Sequence, residues 1–382
     1  MTATAAERSA LERCVGNAKD FLAEHWAVRP MVRHAGSAES GYGDLLDLAA
    51  VDRLITSAGL RTPALRLVRD GKPVEPTLYT ATPRIGGAPM TGLADPARVL
   101  AQIDAGATLV LQGLHRYWEP LRRLCRDLEA ALSCSCQANA YITPPGARGL
   151  AVHSDPHDVF VLQSFGEKRW EVHGPDGVQD VLLRPGDSLY LPLGTPHAAT
   201  AQDGLSGHVT VGLVPQTWRD ALAEAVREVL TDPGYDERLP PGWADDPQAH
   251  RVDLAARLAD LRVRLDKADP TALAAGRTER FWTSRPPALA GGLLDRVRLT
   301  GLDEASVVRR REGSVCRLHR DGDRLVLLLG DRSVRMPVWV QPAVESLVSG
   351  EPVTLADVAL DAQSRSVLVR RLVREGLLEV CE

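Results

Sequence analysis

The segment His153-Ser154-Asp155, with a second histidine at the end of Leu191-Pro-Leu-Gly-Thr-Pro-His197, restricts this chain more than any other stretch. In extended backbone the side chains alternate, so His153 and Asp155 point to one side while Ser154 faces the other. One ion can take all three ligands only if the distant His197 strand is laid beside them. The approach to that strand suits the task. Arg184-Pro-Gly-Asp187 reads as a tight turn, followed by a short apolar strand that ends at Pro192. Pro196 narrows the backbone choices next to His197 and helps hold the imidazole still. Two imidazoles and one carboxylate on one face of an octahedral ion leave three positions open, a donor set suited to non-haem Fe(II). His153, Asp155 and His197 are therefore both the expected metal ligands and the expected catalytic residues.

Between the two halves of this pattern runs Asp158-Val-Phe-Val-Leu-Gln-Ser-Phe-Gly166-Glu-Lys168-Arg-Trp170-Glu-Val-His173. It reads as a buried strand, a turn at Gly166 and a second strand, hence a hairpin. Only four of the 45 Lys and Arg side chains are lysines, so composition did not favour one at position 168. A compact ammonium there suits the distal carboxylate of a small dicarboxylic acid. The alternative is a lysine that solvates a hairpin edge, where lysine is common.

Asn139-Ala-Tyr141 through His153, Asp155 and Gln163, followed by Gly166-Glu-Lys168-Arg-Trp170, resembles the JmjC-type cupin hydroxylases, and within them the ribosomal oxygenase group most. Phe21-Leu-Ala-Glu-His-Trp26-Ala-Val-Arg-Pro30, Gly106-Ala-Thr-Leu-Val-Leu111 and the Pro185-Gly-Asp strand agree with it. The resemblance covers roughly residues 18–215 with specific motifs and the rest more loosely. It implies a double-stranded β-helix holding Fe(II) through His153, Asp155 and His197, with 2-oxoglutarate as co-substrate and O₂ as oxidant. Lys168 would bind the 5-carboxylate of 2-oxoglutarate and Asn139 would line its pocket. Tyr141 and Thr210 carry over as further co-substrate residues.

Composition bounds the surroundings. A chain of 382 residues can form two or three domains, and 44% hydrophobic with 25% charged residues is ordinary globular usage. A net charge of −5 offers no general attraction to nucleic acid or to anionic membranes. The start, Met1-Thr-Ala-Thr-Ala-Ala-Glu-Arg8, has no apolar signal core, and no run is long enough to span a bilayer. Six scattered cysteines (14, 125, 134, 136, 316 and 381) give no disulfide framework or zinc pattern, as in a reducing cytoplasm.

The expected fold class is α+β. Residues 1–215 form the JmjC or cupin jelly roll with amino-terminal helices, 216–295 a helical dimerisation region, and 296–382 a winged-helix-like domain. Residues 8–25 and 44–56 read as helices, 61–79 as two strands around Asp70-Gly-Lys-Pro73, 96–105 as a helix and 108–111 as a strand. Over 118–132, Leu121, Leu124, Cys125, Leu128 and Leu132 follow helical spacing. Helices over 219–230 and 252–265 flank a Pro/Gly loop. Their apolar stripes need a cover, either the barrel of the same chain or a second copy, and the related oxygenases use this region to dimerise. Further on come a hairpin about Asp321-Gly-Asp323 and helices over 343–348 and 364–375. From Gly301 onward there are 12 Arg against 13 Asp and Glu, so a DNA-reading role is disfavoured and a docking role preferred.

The function expected is an Fe(II)- and 2-oxoglutarate-dependent hydroxylase acting on an amino-acid side chain, in a ribosomal or other protein. Alternatives are a hydroxylase of a peptide or small metabolite, a metal cupin that does not use 2-oxoglutarate, and a non-catalytic regulator with a relic cupin. Lys168 and Asn139 speak against the second, and the intact ligand set against the last.

Overall fold

The computed structural model describes residues 9–36, 41–147 and 151–381. Met1–Arg8 and the Arg148-Gly-Leu150 part of the motif above lie outside the described residues. The chain divides into two compact units, Met1–Pro215 and Gln216–Glu382.

In the first unit the strands that build the two main sheets are β1 (Met31–Arg33), β2 (Leu65–Arg69), β3 (Lys72–Pro73), β4 (Thr108–Leu111), β5 (Ser135–Thr143), β6 (Asp158–Phe165), β7 (Lys168–Gly174), β8 (Gly177–Leu183), β9 (Ser188–Leu191), β10 (His197–Ala201) and β11 (Ser206–Val214). Eight form an antiparallel sheet in the order β1-β9-β6-β11-β5-β4-β2-β3, and three form a second, β8-β7-β10. Alternation along each strand decides what it serves. On β5, Cys136, Ala138, Ala140 and Ile142 are buried in the main core, against the helix Glu119–Leu132 with its Leu121, Leu124 and Leu128. Each such leucine contributes about 1.5–3 kcal/mol by leaving water. The intervening Asn139, Tyr141 and Thr143 face a cavity instead. A smaller core, with Val159, Val161, Trp170, Val172, Leu183, Leu189 and Leu191, joins β6 and β9 to β7 and β8.

The expected hairpin at Gly166 is not one. β6 pairs with β9 and β11 in the large sheet, whereas β7 pairs with β8 and β10 in the small one. Gly166 is the corner where the chain leaves one sheet for the other. Its φ is +62°, and a Cβ there would lie 2.2 Å from the Leu205 carbonyl oxygen, so glycine is required. Two strands separated by a glycine carry the same alternation whether they pair or part, which is why the local pattern misled. The hairpin partner of β7 is β8, with Gly174 opposite Gly177.

The single helix expected over 8–25 is two, Ala10–Val15 and Ala18–Glu24. Gly16 at φ +80° ends the first, and Asn17 caps the second by accepting from the Lys19 and Asp20 N–H groups. Phe21 then packs on Phe160 and Tyr190, with ring centroids 5.7 and 4.8 Å away. Over 44–56 the helix starts only at Leu48, capped by Asp47.

The second unit has helices Trp218–Val229, Pro247–Lys267, Pro270–Thr283 and Gly292–Arg298, then two three-stranded sheets and helices Gln341–Leu347 and Ala362–Arg374. The hairpin about Asp321-Gly-Asp323 is present, with Cys316–Asp321 against Arg324–Leu329. Its core gathers Leu325, Leu327, Val344, Leu347, Val369 and Leu372. Arg311 and Asp295, both buried, pair there, and Arg311 also donates to the Gly376 carbonyl at 3.1 Å.

Candidate metal centre

His153 and His197 are joined before any ion is considered. They form an isolated antiparallel bridge in which the His153 N–H donates to the His197 carbonyl at 3.1 Å and the reverse bond is 2.8 Å. The Gly194 N–H donates to the Asp155 carbonyl at 3.0 Å and so ties the two segments a second time. Around this bridge 151–157 is irregular, not a regular strand, yet the alternation holds: His153, Asp155 and His157 are half-buried, Ser154 and Pro156 exposed.

One ligand atom from each of His153, Asp155 and His197 lies within 4.8 Å of the others. The imidazoles are 4.4 Å apart, and His197 Nε2 is 3.7 Å from Asp155 Oδ2. His153 Nδ1 sits 2.8 Å from the Ala151 carbonyl and His197 Nδ1 2.9 Å from the Thr195 carbonyl. A carbonyl only accepts, so each Nδ1 carries the proton and each Nε2 keeps a lone pair for a cation. Burial, with His153 adding to it, pushes the His197 pKa below its ordinary range, which favours the neutral form that binds metal.

The centre opens on a cavity of about 220 Å³ between the sheets, which the expected co-substrate residues Lys168, Asn139, Tyr141 and Thr210 also line. Asn139 and Thr210 face each other across β5 and β11, as do Tyr141 and His208. The Asn139 Oδ1 accepts from the Gly113 N–H at 2.9 Å, which leaves its NH₂ as the donor for the cavity. Lys168 does not decorate an edge: β7 is the central strand of its sheet, and the side chain is 1% exposed. Burial lowers its pKa to about 7.

His208, Thr143, Trp170, His157 and Arg66 also line the cavity and escaped the sequence reading. A signal existed for two of them. His208 precedes Thr210 by two residues on β11 and Trp170 follows Lys168 by two on β7, so each shares its neighbour's face. His157 rests beside Gly212, where a Cβ would come within 2.8 Å of the imidazole.

The His-Asp-His cluster lies between the two sheets of a jelly roll, and residues 114–221 match the JmjC domain model. In sequence the chain is similar to the bifunctional lysine-specific demethylase and histidyl-hydroxylase NO66 of Branchiostoma floridae, 32% identical over 243 residues, covering 61% of this chain and 38% of that one. It is also similar to ribosomal oxygenase 2 of Bos taurus, 32% identical over 189 residues, covering 43% and 41%. The chain spans between 24% and 41% of the length of these first relatives. In fold it matches YcfD, a ribosomal oxygenase from Escherichia coli solved with cobalt and succinic acid, with a TM-score of 0.59, 21% identity and coverage of 96% and 98%. A second YcfD structure, with cobalt and 2-oxoglutarate, gives a TM-score of 0.58. The resemblance to the JmjC-type cupin hydroxylases, and to the ribosomal oxygenase group among them, therefore stands in sequence and in fold.

Proposed function

We propose that this chain is an Fe(II)- and 2-oxoglutarate-dependent oxygenase that hydroxylates an amino-acid side chain of a protein, with ribosomal proteins the first class to test. The observation that carries the reading is the meeting of His153, Asp155 and His197 in one cavity with a buried Lys168. The donor set fits Fe(II): two neutral imidazoles present Nε2, one carboxylate supplies charge, and the open face takes further ligands. Bound Fe(II) would supply the O₂ chemistry: O₂ is the oxidant, one of its atoms being taken up as 2-oxoglutarate is oxidised to succinate and CO₂ and the other entering the acceptor C–H bond.

The chain's own residues do the rest. Lys168 pairs with the distal carboxylate of the co-substrate. Asn139 offers an amide donor, and the Thr210 hydroxyl faces the same space. Trp170, Val159 and Val161 keep water from the inner wall.

Two features of the second unit support association. Trp218 and Leu222 are exposed one turn apart on the helix Trp218–Val229, as are Leu254 and Leu258 on Pro247–Lys267, apolar faces that a second copy of the chain covers in a homodimer. The small sheets and helices beyond residue 296 act as a winged-helix-like docking domain.

The direct test is anaerobic loading with Fe(II), addition of 2-oxoglutarate and air, and measurement of succinate. Release that disappears in His153→Ala and Asp155→Ala supports the reading. A wild-type protein that binds Fe(II) but yields no succinate, with or without ribosomal protein, sinks it.

A further inference from the structure

Lys168 is held in an arrangement that leaves one of its protons without a taker. Its Nζ donates to the Thr143 Oγ1 at 2.8 Å and lies 3.4 Å from His208 Nδ1. An ammonium has three N–H bonds and no lone pair. Two therefore have protein acceptors, Thr143 and His208, and among the described residues no carboxylate pairs with the third. His208 is itself immobilised. Tyr141 stacks on it at 5.2 Å and 7°, and Trp170 meets it edge-on at 5.2 Å and 78°. The ring is 4% exposed and has no freedom to turn away.

Resting on the reading of Lys168 as the co-substrate's partner, we propose that His208 is a positioning residue: its Nδ1 accepts one ammonium proton, and with Thr143 it aims the remaining N–H of Lys168 at the distal carboxylate of 2-oxoglutarate. The role requires a neutral imidazole with its proton on Nε2. Burial, reinforced by the adjacent Lys168, keeps the His208 pKa well below the usual histidine range. A protonated His208 would turn from acceptor to donor and repel the ammonium. Stacking between Tyr141 and Trp170 is the means by which the fold fixes the acceptor, since a ring flat against another has few orientations left.

Two substitutions separate acceptor from bulk. His208→Phe keeps an aromatic ring for Tyr141 but has no acceptor. His208→Asn places an amide oxygen near the Nδ1 position but has no ring. Calorimetric titration of Mn(II)-loaded protein with 2-oxoglutarate, and with pyruvate, which lacks the distal carboxylate, reads the effect. His208→Phe should weaken 2-oxoglutarate roughly tenfold to a hundredfold, the loss of a hydrogen bond to a charged group. It should leave pyruvate and Mn(II) binding near wild type, and His208→Asn should recover most of the loss. Wild-type affinity for 2-oxoglutarate in His208→Phe, or equal losses in Phe and Asn, overturns the positioning role. Equal weakening of pyruvate does the same. Failure of the wild-type protein to bind 2-oxoglutarate at all would instead remove the reading on which the role rests.

Discussion

Raising the pH should weaken 2-oxoglutarate binding through Lys168, and the structure sets the size of the effect. Its ammonium is buried and, among the described residues, faces only Thr143 and His208, neither of which is an anion at neutral pH. Burial brings its pKa from 10.5 to about 7. A carboxylate arriving within hydrogen-bond distance restores the charged form and lifts the pKa again. The complex then holds a proton that the free site lacks above pH 7, so binding takes one up. The dissociation constant should be flat below about pH 6.5 and rise tenfold per pH unit above 7, roughly fiftyfold between pH 7 and pH 9. Calorimetry of Mn(II)-loaded protein in buffers of different ionisation heat measures that proton directly, and about one should be taken up at pH 8.5. Pyruvate serves as the control for pH effects on the metal centre, and Lys168→Met should abolish the uptake together with most of the affinity. The same shift acts on stability with a definite sign. Between about 7 and 10.5 the unfolded chain carries a proton that the folded apoprotein does not. Apoprotein stability therefore rises with pH across this window. A 2-oxoglutarate affinity that stays level from pH 6.5 to 9, with no buffer-dependent heat, refutes the reasoning.

Asp155→Ala removes the only anionic ligand of the three and should weaken Mn(II) or Fe(II) binding more than about a hundredfold, measured by equilibrium dialysis. Unchanged metal content would disprove the ligand assignment. Gly166→Ala combines a left-handed backbone with a clash against Leu205. It should destabilise the first unit by about 2–4 kcal/mol in urea titrations, and a midpoint equal to wild type would show the corner to be more yielding than drawn. Replacing Leu254, Leu258 and Leu261 with serine should shift a dimer toward monomer in light scattering at micromolar concentration. A wild-type protein already monomeric there rules the dimer out.

The pairing of His153 with Asp155 in the candidate metal centre was legible because it depends on a short-range rule, whereas His197 joins them from a distant strand. His153 and Asp155 share a side by strand alternation, and that held although 151–157 is irregular around the bridge. The helix Glu119–Leu132 followed its apolar spacing to within a residue. Two of the differences are local and owe nothing to neighbours in space. The 8–25 segment kept its amphipathic pattern across a break that Gly16 and Asn17 impose, and the helix Pro270–Thr283 passed unnoticed.

The sequence by itself determined which side chains can coordinate a cation and which faces of the strands are apolar. These are properties of residue type and of a two-residue repeat, and they need no partner. Only the tertiary structure decided that β6 and β7 part at Gly166, because pairing is a choice among distant strands that share one alternation. The same choice buries Lys168 and sets Tyr141 opposite His208. Burial then moves Lys168 from an ordinary surface cation to a group that titrates near neutrality, a change that arises from the surroundings and is written nowhere in the residues beside it.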